Sequence, residues 1–446
     1  MELIIVALVL CSAFNHVVLS NDRLILTRYI KNGHAAEARK LSEVNSTKFF
    51  DIKSHSGFMT VEEKYNNNLF FWFFPAVTPL AQTPWIIWLQ GGPGVSSMLG
   101  LFDIIGPIKI EDGQVKERKV TWASDYSLLF LDNPVGAGFS FTDDDRGYPN
   151  NEDDIGDQML QFLLQFLEMF PELRSAPLFI AGQSYAGKYV PALGIQIHRY
   201  NTDISRNDND ERLIINLRGI AIGNGLVELR NMMHYSDLCR DLGILDGNEL
   251  SRLETLEEEV VHFIDNRKMV DAANKFNETI EYIKKKSGIS IYNFLKDPTK
   301  KAPAFEAYIT RPDVRELIHV GDSSFHYNNQ HVYYKMLPDF ANSTKPFVEN
   351  LLEYYGVLSY SGQLDLILPY SLSKYMYETL NWSRREQYLH ASRRRLRRHT
   401  NGAVVGYKKA GGNFIDILVR GAGHLVPADQ PEVAKFIIDV FIDEFK

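Results

Sequence analysis

Cysteine is scarce in this chain: its 446 residues include only two, Cys11 and Cys239. A fold held together by several disulfides is therefore excluded. Outside a short N-terminal segment, no apolar stretch is long enough to cross a bilayer, so we expect no membrane span. The sequence also has no internal repeat and no low-complexity tract, which excludes repeat proteins and coiled-coil rods.

Basic residues are in deficit as well. The formal net charge is −8 and the isoelectric point is about 5.9, so nothing favours nucleic acid as a partner. Hydrophobic residues make up 45% of the chain and charged residues 23%, values typical of a folded globular protein. The length allows two or three domain-sized units.

The N-terminus has the pattern of a secretory signal peptide. Residues 3–14 are almost wholly apolar, and Ser20 offers a small residue for cleavage, although Glu2 stands where a basic residue is usual. We therefore predict a signal peptide over residues 1–20. Cys11 would leave with it, and Cys239 is expected to be a buried free thiol.

Sequons for N-glycosylation agree with passage through the secretory pathway. They predict glycans at four asparagines, Asn45, Asn277, Asn342 and Asn381. Together with the signal peptide they predict a secreted or lysosomal protein.

Short apolar runs alternate with amphipathic segments, which is the pattern of an α/β fold with a mainly parallel sheet. The predicted strands are 69–74, 85–89, 127–131, 178–181, 350–359 and 414–419. The predicted helices are 155–170, 188–200, 248–267, 271–286 and 431–445. Because residues 226–337 are charged and helical in pattern, we predict core segments at 21–225 and 338–446 with a helical insertion between them.

A serine lies where a strand turns sharply into a helix. The segment Gly182-Gln183-Ser184-Tyr185-Ala186-Gly187 has small residues on both sides of Ser184. Larger neighbours would collide in so tight a turn, and the turn exposes the hydroxyl at a helix N-terminus. Ser184 is therefore the predicted nucleophile.

A nucleophilic serine needs a base and a group that orients the base. Asp365 and His424 each follow a predicted strand, and His424 lies in a Gly-rich loop. The order Ser, Asp, His is that of α/β-hydrolases, so we predict a triad of Ser184, Asp365 and His424.

The Gly-rich segment 91–94 is a candidate oxyanion hole. It lacks the Lys-Ser/Thr ending of a phosphate loop, and glycine lets a substrate carbonyl approach the backbone closely. We assign the oxyanion hole to the N–H groups of Gly92 and Tyr185. The sequence has no HExxH pattern, and His326 and His331 are predicted to lie in an aromatic loop.

Four sequence blocks resemble the signatures of the serine carboxypeptidase family: residues 88–97, 132–140, 183–191 and 423–424. Three further segments, residues 65–76, 151–154 and 220–225, are similar to the vitellogenic-like and venom members in particular. The resemblance implies an α/β-hydrolase with a helical insertion that releases single residues from the C-termini of peptides or proteins through an acyl-enzyme. It implies no metal and no cofactor, and it says nothing of oligomeric state.

The same resemblance implies a clamp for the substrate's terminal carboxylate, and here the sequence departs from it. Gln90, Gly91 and Gln183 match the clamp positions, but the family has Glu at position 183 and a second Glu where this chain has Ile104. We therefore expect weak peptidase activity. An esterase, amidase or acyltransferase on the same triad, or a secreted binding protein without catalysis, are the alternatives.

Arginines cluster at 393–395 and 397–398. A solvated surface, a processing site or a patch for anionic glycans would each explain them.

Overall fold

The computed structural model describes residues 22–206, 214–298, 302–398 and 402–446. The predicted signal peptide, with Cys11, lies outside the described residues. The division into core segments and an insertion stays a prediction.

Among the described residues, ten strands form one twisted sheet, and two more form a separate hairpin. The strands are β1 His55–Glu62, β2 Asn67–Phe74, β3 Trp85–Leu89, β4 Ile108–Glu111, β5 Gln114–Glu117, β6 Ser127–Leu131, β7 Leu178–Gln183, β8 Leu217–Gly223, β9 Gly356–Gly362, β10 Arg394–Arg397, β11 Val404–Gly411 and β12 Phe414–Val419. The sheet order is β1-β2-β6-β3-β7-β8-β9-β12-β11-β10, and β4 pairs with β5. The six central strands, from β6 to β12 in this order, run parallel to one another. At each end of the sheet two further strands are added, and each of them pairs antiparallel with its inner neighbour.

Helices cover both faces of the sheet. They are α1 Thr27–Lys31, α2 Ala35–Leu41, α3 Glu152–Met169, α4 Ala186–Ser205, α5 Tyr235–Asp241, α6 Gly247–Asp265, α7 Met269–Ser287, α8 Ala304–Ile309, α9 Pro312–Leu317, α10 Gln330–Phe340, α11 Lys345–Leu352, α12 Tyr370–Thr379, α13 Arg385–Leu389, α14 Val426–Asp429 and α15 Pro431–Phe445.

Alternation along the strands divides the core into two layers. Ile87 and Ile180 face a layer that includes α3 and α4, whereas Trp88 and Phe179 face a layer closed by α15. The central strands are buried on both sides, which is why they appear in the sequence as continuous apolar runs.

The predicted α/β-hydrolase architecture is confirmed. The bounds of β3, β6, β12 and α15 agree with the sequence prediction. The predicted strand 350–359 is wrong in its first part, because Asn350–Leu352 belong to α11 and the strand begins at Gly356. The basic cluster forms the edge strand β10.

Candidate active site

Ser184 occupies the turn between β7 and α4. Its φ is +63°, in the left-handed region that non-glycine residues rarely adopt. The flanking glycines leave no room for a side chain: a Cβ on Gly182 would lie 2.7 Å from the Leu89 carbonyl oxygen, and one on Gly187 would lie 2.7 Å from the Leu226 nitrogen. Dense packing on both sides therefore holds the strained serine in place.

His424 and Asp365 form a buried pair. Nδ1 of His424 lies 2.7 Å from Oδ2 of Asp365, and both side chains are almost fully buried. The backbone N–H groups of Ile367 and Leu368 donate to Oδ1 of Asp365 at 2.9 and 3.2 Å. These bonds fix the carboxylate, which in turn fixes the imidazole ring.

The three predicted triad residues follow strands β7, β9 and β12 at the carboxyl edge of the sheet. Parallel strands bring these ends together. The Ser184 hydroxyl is half-buried and makes no hydrogen bond to another described residue. Such bonds often tighten only when substrate is present.

Asn224 is a site residue to which the sequence analysis gave no role. Its Nδ2 donates to Oδ2 of Asp365 at 2.6 Å, and its Oδ1 accepts from the Gly362 N–H at 3.2 Å. It directly follows β8 with φ of +40°. An asparagine between two glycines after a buried strand was the available signal, since asparagine tolerates this conformation.

The loop after β3 packs directly against the serine turn. A Cβ on Gly91 would lie 2.5 Å from the Tyr185 nitrogen, so only glycine fits there. Gly92 has φ of +118°. Neither the Gly92 nor the Tyr185 N–H donates to an acceptor within the described chain. Two free donors beside the serine are what an oxyanion hole requires.

Asp132, directly after β6, holds this loop through hydrogen bonds to its carboxylate. Its carboxylate accepts hydrogen bonds from the Ser96 hydroxyl at 2.7 Å and from the Ser97 N–H at 2.8 Å. The Ser97 hydroxyl in turn accepts from the Gln90 N–H at 3.1 Å. Burial raises the pKa of Asp132 to about 6, while these hydrogen bonds oppose the shift.

The predicted clamp residues are buried and uncharged. Oε1 of Gln90 accepts from the Trp88 indole N–H at 3.2 Å, whereas both amide atoms of Gln183 lack a partner among the described residues. Ile104 ends a π-helical turn and is buried. Beside it, burial raises the pKa of Asp103 to about 6, and Arg118 opposes that shift.

His424 is also held by Tyr292, which lies between α7 and α8. The His424 N–H donates to the Tyr292 carbonyl oxygen at 2.7 Å, and the two rings lie 5.3 Å apart. A Cβ on Gly423 would lie 2.3 Å from that same oxygen. The segment before residue 337 therefore helps to place the base.

The four sequon asparagines lie at or near the surface. Asn45, Asn342 and Asn381 are exposed, whereas Asn277 is half-buried and donates to the Tyr333 hydroxyl. The Asn342 amide donates to Asp339 at 2.7 Å. Glycosylation at these sites stays a prediction.

In the parts of the chain that the structure describes, no three His, Cys, Asp or Glu side chains converge as metal ligands. His331 instead lies 2.7 Å from Asp145 and stacks edge-on against Tyr148, and His326 pairs by its backbone with Gly138. No described helix combines the length and apolarity needed to cross a membrane.

A parallel sheet with a strained serine after one strand, and an Asp–His pair after two others, defines an α/β-hydrolase. Kex1(Δ)p, a prohormone-processing carboxypeptidase from Saccharomyces cerevisiae, shares the fold with a TM-score of 0.81 at 20% identity, over 91% of this chain and 96% of that one. Residues 44–444 match the family model for serine carboxypeptidases. The chain belongs to the serine carboxypeptidase family and is a serine-type carboxypeptidase, a hydrolase.

Relatives in animals match nearly the whole chain. The venom serine carboxypeptidase of Apis mellifera is 38% identical, covering 94% of this chain and 90% of its own. The vitellogenic carboxypeptidase of Aedes aegypti is 36% identical, with coverage of 95% and 90%. The probable serine carboxypeptidase CPVL of Homo sapiens is 35% identical, also with coverage of 95% and 90%.

Proposed function

We propose that this enzyme removes C-terminal residues from peptides by acyl transfer through Ser184. The observation that carries the proposal is the buried 2.7 Å contact between His424 and Asp365 at the same sheet edge as the strained serine. With its Nδ1 proton donated to Asp365, His424 presents Nε2 as a base toward Ser184. No group in this scheme needs a metal or a cofactor.

The reaction runs in two halves. The Ser184 hydroxyl attacks the last peptide carbonyl while His424 takes its proton, and the N–H groups of Gly92 and Tyr185 bind the oxyanion that forms. His424 then gives the proton to the departing amine, which leaves as the C-terminal residue. Water enters, loses a proton to His424 and hydrolyses the ester.

Gln90, Gly91 and Gln183 are the proposed contacts for the substrate's C-terminal group. Relative to the family pattern, this clamp lacks the Glu pair. The loss of one charge-assisted hydrogen bond costs about 1.5–3 kcal/mol, or roughly ten- to a hundredfold in rate. Because Gln183 donates at any pH, we expect low activity on free-acid peptides, with a flatter acid limb than a Glu pair gives.

The first test is labelling with a fluorophosphonate at pH 5 and pH 7.5, with Ser184→Ala as the control. We expect labelling of the wild type that disappears in the variant. Absence of labelling at both pH values would exclude the triad, and the chain would then be a family member that binds without catalysis.

A second candidate function is the hydrolysis of esters, or other acyl transfer, on the same triad. It is favoured by Ile104, a buried apolar residue that cannot bind a carboxylate. Rates on an ester without a free carboxylate above those on matched peptides would support it.

We also propose that the protein enters the secretory pathway and is secreted or lysosomal. The apolar N-terminal segment and the exposed sequon residues Asn45, Asn342 and Asn381 support this. Enzymatic removal of N-glycans from protein made in eukaryotic cells should lower its mass, and Asn→Gln variants would assign each site.

A further inference from the structure

Gln90 directly follows β3, and Gln183 ends the neighbouring strand β7, next to the nucleophile. Leu89 pairs with Gly182 across β3 and β7, so the next residues, Gln90 and Gln183, are neighbours. Gln90 continues the face of Trp88, and Gln183 continues the face of Ala181. Both glutamines therefore emerge on the sheet face where Ile104 is also buried.

The polar groups on this face have unused hydrogen-bonding capacity. Gln183 is 1% exposed, yet neither its Oε1 nor its Nε2 has a partner among the described residues. The Tyr360 hydroxyl is also buried without a described partner. It lies 2.7 Å from where a Cβ of Gly223 would be, and Gly223 pairs with Gln183. Buried polar groups are normally satisfied, so unpaired ones beside a nucleophile indicate a ligand position.

The chemistry of these groups specifies the ligand. A glutamine amide offers two donors and an acceptor, and a tyrosine hydroxyl offers one donor and an acceptor. No described Lys or Arg side chain donates to Gln90 or Gln183. Asp103, the residue before Ile104, carries negative charge when ionised, and the Arg118 cation interacts with it.

We propose that this position binds an uncharged carboxamide, so that the enzyme prefers peptides whose last residue carries a terminal amide. The ligand's carbonyl oxygen would accept from Nε2 of Gln183 while its NH₂ group donates to Oε1. A carboxylate has acceptors only, and it would leave Oε1 unpaired against a negative charge. The proposal rests on the proposed function, because it concerns the leaving group of that reaction.

The chemical step is the one already described with a different leaving group. The bond between Ser184 Oγ and the carbonyl carbon of the penultimate residue forms, and the C–N bond to the amidated residue breaks. The proton that His424 took from Ser184 goes to the amine, which leaves as an amino-acid amide. Water then releases the shortened peptide.

The experiment compares two acylated dipeptides that are identical except for a terminal –OH or –NH₂, at pH 5 and pH 7. We expect kcat/KM to be at least tenfold higher for the amide at pH 7. Gln183→Glu should lower the amide-to-acid ratio at least tenfold at pH 5, because a protonated carboxyl can donate to a carboxylate. Gln161→Glu, at an exposed position on α3, is the matched control and should leave the ratio unchanged.

The outcomes separate this inference from the function on which it rests. Wild-type enzyme that is labelled by the fluorophosphonate but cleaves the acid as fast as the amide, or faster, overturns the carboxamide site alone. Loss of both labelling and cleavage overturns the proposed function and the inference with it. An unchanged ratio in a Gln183→Glu variant that still labels would show that Gln183 does not read the terminal group.

Discussion

At the scale of single residues, Asn224 links two parts of the candidate site. Its amide group bridges the Asp365 carboxylate and the Gly362 backbone, and thus joins the ends of β8 and β9. A hydrogen bond to a buried charged group contributes more than one between neutral groups. Asn224 is therefore a positioning residue: it holds Asp365, and through Asp365 it holds His424.

Removal of this amide should slow acylation without unfolding the protein. We expect Asn224→Ala to label with fluorophosphonate roughly ten- to a hundredfold more slowly, the equivalent of about 1.5–3 kcal/mol. Asn224→Gly is the matched control, since glycine accepts the positive φ that alanine resists. Both variants should label equally slowly while the glycine variant melts at a higher temperature. If Asn224→Gly is labelled at the same rate as the wild type, the positioning role of Asn224 is refuted.

At the scale of elements, the site depends on contact between two turns that come from different strands. The loop after β3 contacts the turn after β7 at Gly91. The two backbones can approach this closely only because Gly91 has no side chain. The spacing of the proposed oxyanion donors, Gly92 and Tyr185, is thus set by packing between backbones, which are stiffer than side chains.

Addition of one methyl group at this contact should impair catalysis. In Gly91→Ala the new Cβ would lie 2.5 Å from the Tyr185 nitrogen and 2.7 Å from the Gln183 oxygen, so one turn must move. We expect the labelling rate to fall at least a hundredfold. Gly113→Ala is the control, because it strains a positive φ but meets no atom within 4 Å. Equal labelling rates in the two variants would show that the turns tolerate a shift.

Sequence patterns predicted the elements whose signal is local. The continuous apolar runs predicted β3 and β6 with the correct bounds. The small residues around Ser184 predicted the tight turn between β7 and α4. Strand β1 was missed within a polar stretch because its burial comes from pairing with β2 and from Leu26 against Gly57. Asn224 had no role for a similar reason: its partner Asp365 lies 141 residues further along the chain.

At the scale of the whole molecule, stability should depend on pH through a buried acid, Glu152. This first residue of α3 lies beside Tyr185 and Lys188, and its side chain is almost fully buried. Burial raises its pKa from 4.5 to about 8, although Lys188 opposes the shift. The native state therefore binds a proton that the unfolded state releases, and this contribution is lost as pH rises toward 8.

As pH rises from 6.5 to 8, deprotonation of Glu152 alone should lower the free energy of unfolding by about 1–2 kcal/mol. We expect the wild type to melt at a lower temperature at pH 8 than at pH 6.5, and Glu152→Gln to remove most of that difference. Glu168→Gln, exposed on the same helix, is the control and should behave as the wild type. A Glu152→Gln variant with the same pH dependence as the wild type would contradict this assignment.

Stability should not depend on thiol reagents. Cys239 is fully buried, and burial raises the pKa of its thiol to about 12. For protein that lacks the predicted signal peptide, residues 1–20, we expect no reaction of the native state with a thiol-specific dye, and one reactive thiol after denaturation without reductant. A reductant should leave the melting temperature unchanged. Cys239→Ala serves as the blank, and a dye reaction in the native state would contradict the burial.

The arginines of β10 limit how far the sheet can grow. An edge strand offers unpaired backbone groups to which a second copy could add its own edge. Strand β10 carries Arg394, Arg395 and Arg397 and no acid of its own, so two such edges would bring like charges together at a strand spacing of about 4.8 Å. Repulsion at that distance opposes the pairing of two β10 edges and so disfavours growth of the sheet from this side.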